Sequence, residues 1–129
     1  MTSQNELKSR NFPEPGEFWL AKFHYEEQDG RYKVRPVFVL KVYPYGVLVA
    51  FCGSQKLDTT SSRTDVLLDD EEAISVGLLR EGKLSFGKRE TLSLGSFKRR
   101  VGEIGIPGER LGHAKFREIA EAVQAAGIL

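Results

Sequence analysis

The sequence predicts a mainly β domain, a small barrel of short strands followed by one amphipathic helix at its C-terminal end. Between residues 17 and 104, short runs rich in β-branched and aromatic residues alternate with glycine, proline and polar turns. After Pro107 and Gly108 the apolar residues recur with the period of a helix instead. A chain of 129 residues that is 40% hydrophobic is long enough to bury a core of its own.

The N-terminal segment differs from the rest of the chain. Residues 1–15 are polar and contain Pro13 and Pro15, which interrupt both helices and central strands. We therefore expect a flexible or loosely docked leader followed by a single domain over residues 16–129.

Three strands are predicted first: residues 17–23, 34–43 and 45–52. Pro36 has no N–H to donate to a neighbouring strand, so we expect it among the first residues of its strand or at a sheet edge. Arg35 would then lie at the mouth of the sheet.

Shorter elements are predicted for the second half of the chain. A polar loop over residues 53–64 is long enough to be functional or mobile. Short strands are expected at residues 64–68, 78–79, 84–86, 91–94 and 97–104, with an acidic turn at 69–72 that can open a helical turn. The helical stripe comprises Phe116, Ile119, Ala120, Val123 and Ala126, and Gly127 is a suitable end.

Charge is distributed unevenly along the chain. The total of 19 basic and 18 acidic residues gives +1, which argues against a histone-like or tail-type nucleic-acid binder. Counted by segment, however, residues 1–30 carry about −3, residues 31–100 about +5 and residues 101–129 about −1. The basic excess therefore lies in the predicted sheet.

Other common classes of protein are disfavoured. The single cysteine, Cys52, allows neither an internal disulfide nor a multi-cysteine zinc site, which favours the reducing cytoplasm. It lies in an apolar strand and is expected to be a small buried residue. The longest purely apolar stretch, residues 46–52, is far shorter than the ~20 residues that span a bilayer, so no membrane association is expected. No sequence motif indicates a cofactor or metal site.

A basic region with interleaved aromatic residues is the first functional candidate. It comprises Arg80, Lys83, Lys88, Arg89, Lys98, Arg99 and Arg100, with Phe86 and Phe97 among them. Cations that contact phosphates and rings that stack on bases suit single-stranded nucleic acid. The alternative is an ordinary solvated strand face.

Individual side chains form the second candidate. Arg35 can hold a phosphate with its forked guanidinium, or it can form an ion pair with Glu17 or Glu103. Ser54 and Gln55 follow the strand that ends at Cys52, where they can contact phosphate oxygens or simply cap a turn. His24 is one of two histidines and can act as an acid or base, or be a surface loop residue.

In order and spacing, these segments resemble the MazF/PemK-like toxins. The resemblance rests on PGEFWLAKF, VRPVFVL, VLVAFCGSQ and a late VGEIG before a helix, and it covers roughly residues 15–126. It implies an SH3-like barrel of the CcdB/PemK type, a homodimer, and an endoribonuclease that cuts single-stranded RNA without metal or cofactor. It also implies a cognate antitoxin as partner.

The resemblance assigns roles to particular residues. Arg35 matches the family's catalytic arginine, and Ser54 lies in its phosphate-contacting junction, with Arg80 and His24 as further catalytic candidates. The residues expected to bind RNA are Gln55, Lys83, Phe86, Lys88, Arg89 and Lys98. Two positions depart from the family pattern: Gly53 stands where threonine is usual, and Gly82 stands where some members have an acid.

A non-catalytic barrel is the competing class. It would be a CcdB-type gyrase poison, which acts through its C-terminal residues, or a degenerate module that binds RNA or protein. The chain ends in Gly127-Ile128-Leu129 but lacks the tryptophan that those poisons have near the end.

Overall fold

The computed structural model describes residues 12–24, 32–53 and 63–128. Within these ranges the chain forms six strands and two helices. In chain order they are β1 (Glu17–His24), β2 (Tyr32–Tyr43), β3 (Gly46–Gly53), β4 (Asp65–Leu68), α1 (Asp70–Ser75), β5 (Gly82–Leu92), β6 (Phe97–Glu103) and α2 (His113–Ala125). A short 3₁₀ turn, Leu94–Ser96, joins β5 to β6.

The strands form one antiparallel sheet in the order β4-β5-β3-β2-β1-β6. The first three strands are a meander, and β6 returns to pair with β1. The mainly β prediction with a C-terminal helix is therefore confirmed.

Side chains on both faces of the sheet are buried, because successive residues of a strand point to opposite sides. On one side, which we call the helix-side face, Phe18, Phe38 and Phe86 pack with the apolar residues of both helices. On the other, the strand-side face, Trp19 and Val37 belong to a second core with Val39, Val47, Val49 and Leu92. The strands β1, β2, β3 and β5 therefore contribute to both cores, whereas β4 contributes to the helix-side core alone.

Both helices follow from local sequence. The carboxylate of Asp69 accepts a hydrogen bond from the Glu72 N–H, and the Glu72 side chain accepts one from the Asp69 N–H, a capping box that begins α1. In α2, Ile119 of the predicted stripe is buried, and Phe116, Val123 and Ala126 pack against the core, but Ala120 is exposed and Ala122 is buried in its place. Gly127 follows with φ of +76°. No helix in the described ranges is both long and apolar enough to cross a membrane.

Two details of the strand prediction were wrong. Residues 84–86 and 91–94 were expected in separate strands, but residues 82–92 form the single strand β5. The register between β5 and β3 shifts in the middle of β5, which forms a bulge there and leaves residues 87–91 exposed. The alternation of buried and exposed residues is therefore interrupted, and the sequence does not show that β5 is one strand. Leu78 and Leu79 form part of a loop rather than a strand.

Pro36 lies inside the central strand β2 and opposite Leu20 of β1. The ladder between β2 and β3 begins only at Val37 and Phe51, so Pro36 removes no hydrogen bond from it. Residues 32–36 of β2 are thus paired with β1 alone, as on a sheet edge. The strand starts two residues earlier than predicted.

A network of ion pairs connects the start of β1 to the end of β6. The buried Glu17 carboxylate accepts hydrogen bonds from the Trp19 indole N–H at 2.8 Å and the Glu14 N–H at 2.9 Å. Arg100 lies 3.0 Å from both Glu17 and Glu103. These donors compensate the cost of burying a carboxylate.

The leader approaches this network closely. Pro13 is fully buried, and the Gly16 N–H donates to the Val39 carbonyl at 2.9 Å. Of residues 12–15, Pro13 alone is buried, while residues 1–11 lie outside the described part of the chain.

Glu103 makes stability depend on pH in the acid range. A hydrogen bond from Arg110, at 3.1 Å, lowers the pKa of the Glu103 carboxyl, with a further contribution from Arg100. A lowered folded-state pKa stabilises the protein above the ordinary glutamate pKa of about 4.3, and that stabilisation is lost as pH falls below it. We expect Glu103→Gln to lower Tm at pH 7 and to differ less from wild type at pH 3. Thermal unfolding monitored by circular dichroism at both pH values measures this.

A close contact joins the end of α1 to β6. At Gly102, an added Cβ would overlap the Val76 carbonyl oxygen, and at Gly77 it would overlap that of Val101. Gly77 also has φ of +102°, which side chains rarely adopt. The backbones thus meet directly, and this contact fixes the loop that follows α1.

Candidate functional site

One end of the sheet opens between its two central strands. Beyond the Val37–Phe51 pair, β2 and β3 have no further ladder pair, although Arg35 and Gly53 lie at the same level in that register. The polar segment that begins at Ser54 follows β3 directly. The described ends of β2 and β3 therefore flank this opening.

Arg35 is half-buried on the strand-side face of the opening. Its backbone pairs with Ala21, and its strand neighbours Val37 and Val39 share its face. Glu17 lies four residues along β1 from Ala21, or about 13 Å. Glu17 and Glu103 form their ion pairs with Arg100 instead. The alternative prediction, an ion pair between Arg35 and one of these two acids, is therefore wrong.

A second cation lies on the same face. Lys83 of β5 is opposite Gly53, and its ammonium group is 3.8 Å from the Asp65 carboxylate of β4. Lys83, Gly53 and Arg35 therefore lie at the same level on three adjacent strands, β5, β3 and β2. Asp65 was missed in the sequence, since only the pairing of β4 with β5 brings it to this end.

Three of the predicted site residues cannot be placed in full. Ser54 and Gln55 lie outside the described residues. The backbone of His24 ends β1 and pairs with Tyr32, in the part of β2 that pairs with β1 but not with β3. Their assignment therefore stays a prediction.

Arg80 lies in the loop between α1 and β5 and is exposed. It lines a cavity of about 380 Å³ on the helix-side face, together with Pro36 and Gly53. It thus reaches the same opening as Arg35 from the opposite side of the sheet. At Gly82, where the family pattern has an acid, a Cβ would come within 2.7 Å of the Gly53 carbonyl oxygen, so the close packing of β5 on β3 disfavours any side chain.

The structure divides the predicted basic region. Phe86 is fully buried, edge-on to Phe38 at 5.9 Å, and so cannot stack on a base, which corrects its assignment to RNA binding. Its alternation with Gly82 and Leu84 on the buried side of β5 explains why. Lys88 and Arg89 are exposed on the bulge of β5, while Lys98 is exposed on β6, which is separated from β5 by three strands.

Cys52 is a buried residue, as predicted. Burial raises the pKa of its thiol far above the ordinary range, so the thiolate needed for nucleophilic attack does not form at neutral pH. Cys52 thus belongs to the floor of the cavity.

The arrangement suits a phosphodiester. A guanidinium can donate two parallel hydrogen bonds to phosphate oxygens and stays charged at every physiological pH. Arg35 lies on one face of the opening, where Lys83 is paired with Asp65, and Arg80 lies on the other face next to Glu81. An anionic chain that crosses the sheet end therefore meets one arginine on each side.

Comparison with known proteins identifies the fold. No protein-family model matches the chain, and no curated protein sequence matches it. Among solved structures, a Mycobacterium tuberculosis toxin, MazF-mt6, superposes with a TM-score of 0.59 at 19% identity, covering 86% of this chain and 95% of that one. An endoribonuclease in complex with its cognate antitoxin, from a mycobacterial species, gives 0.60 at 17% identity, covering 89% and 94%.

A second mycobacterial endoribonuclease matches over 90% of this chain and 92% of its own, with a TM-score of 0.58 and 16% identity. The three matches cover between 86% and 90% of this chain. The chain therefore has the fold of the MazF toxins.

Proposed function

We propose that this protein is a toxin-type endoribonuclease that cleaves single-stranded RNA. The observation that supports this most directly is the position of Arg35, a half-buried arginine at the opening between β2 and β3, beside the junction that leads to Ser54. The two mycobacterial endoribonucleases with this fold support the same reaction class.

The proposed reaction is an internal phosphoryl transfer. The ribose 2′-oxygen forms a bond to the adjacent phosphorus while the bond from phosphorus to the 5′-oxygen of the next nucleotide breaks. A proton leaves the 2′-hydroxyl and another is given to the 5′-oxygen, so the products are a 2′,3′-cyclic phosphate and a free 5′-hydroxyl. Charge on the phosphoryl oxygens rises as the first bond forms, and that is where preorganised cations accelerate the step.

Arg35 is proposed to stabilise this charge, and Ser54 to donate a hydrogen bond to the phosphate. Proton transfer requires a second group, for which Arg80 and His24 are the candidates. The permanent charge of arginine makes it better suited to holding phosphate than to proton transfer, so His24 is the preferred candidate of the two.

The C-terminal end argues against the gyrase-poison alternative. Ile128 is buried in the helix-side core, and its N–H donates to the Val123 carbonyl at 3.1 Å. The segment after α2 is thus held against the chain's own core up to Ile128. The arginines at the opening, in contrast, can bind the phosphates of RNA directly.

The partners follow from the proposed activity. A neighbour of this fold was solved with its cognate antitoxin, which supports an antitoxin that holds this protein inactive. A homodimer and a cytoplasmic location stay predictions of the sequence.

The test is direct product analysis. We expect the purified protein, with EDTA present, to cut a long single-stranded RNA into fragments that carry 2′,3′-cyclic phosphate and 5′-hydroxyl ends. Mass spectrometry of the fragments identifies both ends. Intact RNA across a range of salt concentrations would contradict the proposal, and 5′-phosphate ends would contradict the 2′-hydroxyl mechanism.

A further inference from the structure

We propose that the surface around the β2–β3 hairpin is a second RNA-binding site, at which the Tyr45 ring stacks on an unpaired base. This hairpin lies at the end of the sheet opposite to the opening. Tyr43 follows Arg35 by eight residues in β2, which corresponds to about 26 Å. The inference rests on the proposed function, because it assigns a distant part of the same RNA strand to this surface.

Two tyrosines form an aromatic stack at the tip of the hairpin. Tyr43 ends β2 opposite Gly46 of β3, and only Pro44 and Tyr45 lie between them. The rings of Tyr43 and Tyr45 are parallel to within 1°, with their centroids 5.1 Å apart. Tyr45 is nevertheless 75% exposed. Because Tyr43 already holds this ring, a base can stack on it with little further loss of side-chain freedom.

The strand register shows which side chains share the face of Tyr43. Paired residues of neighbouring strands project to the same side of a sheet. Lys41 and Thr91 are both paired with Leu48, and the neighbours of Leu48 in β3 belong to the strand-side core. Leu48, Lys41 and Thr91 therefore project to the helix side, and so does Tyr43, two residues after Lys41.

The charges of β5 are divided between the two faces at this end of the sheet. Arg89 is paired with Ala50 of the helix-side core, whereas Glu90 is paired with Val49 of the strand-side core. Within the described ranges, neither Arg89 nor Lys41 forms an ion pair. The two cations thus project to the side of the tyrosine stack, and the acid projects away from it.

This part of the helix-side face is not covered by the helices. Arg89 and Thr91 are exposed, and the other sheet residues of the area are half-buried. Leu48 belongs to neither core. We call the area the hairpin surface, and it comprises Lys41, Tyr43, Tyr45, Leu48, Arg89 and Thr91.

The chemistry of the hairpin surface suits single-stranded RNA. Unpaired bases can stack on aromatic side chains, while lysine and arginine contact the phosphates on either side. The bases of a duplex stack on one another instead and leave no face for a tyrosine. A stacked strand advances ~3.4 Å per nucleotide, so a strand that reaches both the opening and the hairpin surface needs on the order of eight nucleotides.

The first test measures binding of RNA analogues that the proposed mechanism cannot cut. The probes are 2′-O-methyl single strands of about 20 and about 5 nucleotides, of which only the longer can reach both sites. We expect Tyr45→Ala to raise the Kd of the longer probe by about tenfold and that of the shorter probe by less than about twofold. Tyr45→Phe keeps the ring, so it should bind the longer probe like wild type.

Arg89→Ala tests the contribution of charge. We expect it to weaken binding of the longer probe and to reduce the slope of log Kd against log salt concentration by about 0.7, the value for one phosphate contact of a single strand. Arg117→Ala is the matched control, because it removes the same charge from an exposed position of α2 outside the hairpin surface. The control should leave both the Kd and the slope unchanged.

Cross-linking locates the contact. The longer probe is prepared with 5-iodouridine in place of uridine, irradiated with the protein, and the attached peptide is identified by mass spectrometry. We expect attachment at Tyr45 or Tyr43. A purely structural role of the tyrosine stack would change stability but would produce no such adduct.

The outcomes separate this proposal from the proposed function. Unchanged Kd values for Tyr45→Ala, with no adduct at the hairpin, overturn the second site even if wild type cuts RNA. An adduct at Tyr45 in a protein that cuts no RNA supports the second site and contradicts the nuclease. If a duplex of the same length binds as tightly and Tyr45→Ala weakens both equally, base stacking is refuted and the proposal is overturned.

Discussion

Replacement of Arg35 by alanine is expected to reduce RNA cleavage by at least 10²-fold and up to about 10⁴-fold, the range typical for removal of one group that acts on the transition state. The Arg35 guanidinium is the group proposed to lie where charge rises on the phosphate, and Arg80 reaches the opening only from the opposite face of the sheet. Initial rates of cleavage of a fluorescent oligoribonucleotide measure the loss. Growth arrest on induction of the chain should disappear with it.

Two variants separate chemistry from folding. Arg35→Ala should keep the wild-type Tm within a few degrees, since the residue is only half-buried. Arg35→Lys keeps the charge but loses the fork, so we expect it to recover only part of the rate. Full activity in purified Arg35→Ala would mean that the nuclease is a contaminant or that the site lies elsewhere.

Gly102→Ala is expected to cause the largest loss of stability of the substitutions considered. The new methyl group would overlap the Val76 carbonyl oxygen, and both partners of the clash are backbone, which cannot rotate away. Overpacking of this kind costs about 3 kcal/mol. For a domain of this size the fall in Tm is on the order of 10 °C. Thermal and urea unfolding of the purified variant measure it.

Gly95→Ala is the matched control for this substitution. A Cβ at Gly95 meets no atom within 4 Å, and its φ is not positive, so the same chemical change should be nearly neutral. Equal Tm values for the two variants would show that α1 and β6 do not touch as described.

Elements that rest on local sequence were predictable. The strands up to Cys52 carry continuous β-branched and aromatic residues, and the stripe of α2 has an unbroken helical period. The bulge in β5 broke the alternation that identifies a strand, so this element was split in the prediction. Phe86 was assigned to RNA for the same reason, because its face depends on a register that the sequence does not reveal.

The site was predictable in part. Arg35 stands out because proline follows it, and the two residues together fix the end of the β2–β3 ladder. The pairing of Lys83 with Asp65 and the engagement of Arg100 by Glu17 join residues far apart in the chain. Such contacts come from tertiary packing, which no local pattern encodes. The cavity beside the opening could not be predicted from the sequence for the same reason, because its lining comes from several strands and a loop.

The burial of Cys52 has a consequence for observing this molecule in solution. It is the only cysteine of the chain, and its thiol stays protonated and covered while the sheet is closed. Reaction with a thiol reagent then requires the helix-side core around Cys52 to loosen, so the labelling rate measures how often this end of β3 becomes accessible. The chain thus carries an intrinsic kinetic probe at the point where the proposed substrate binds.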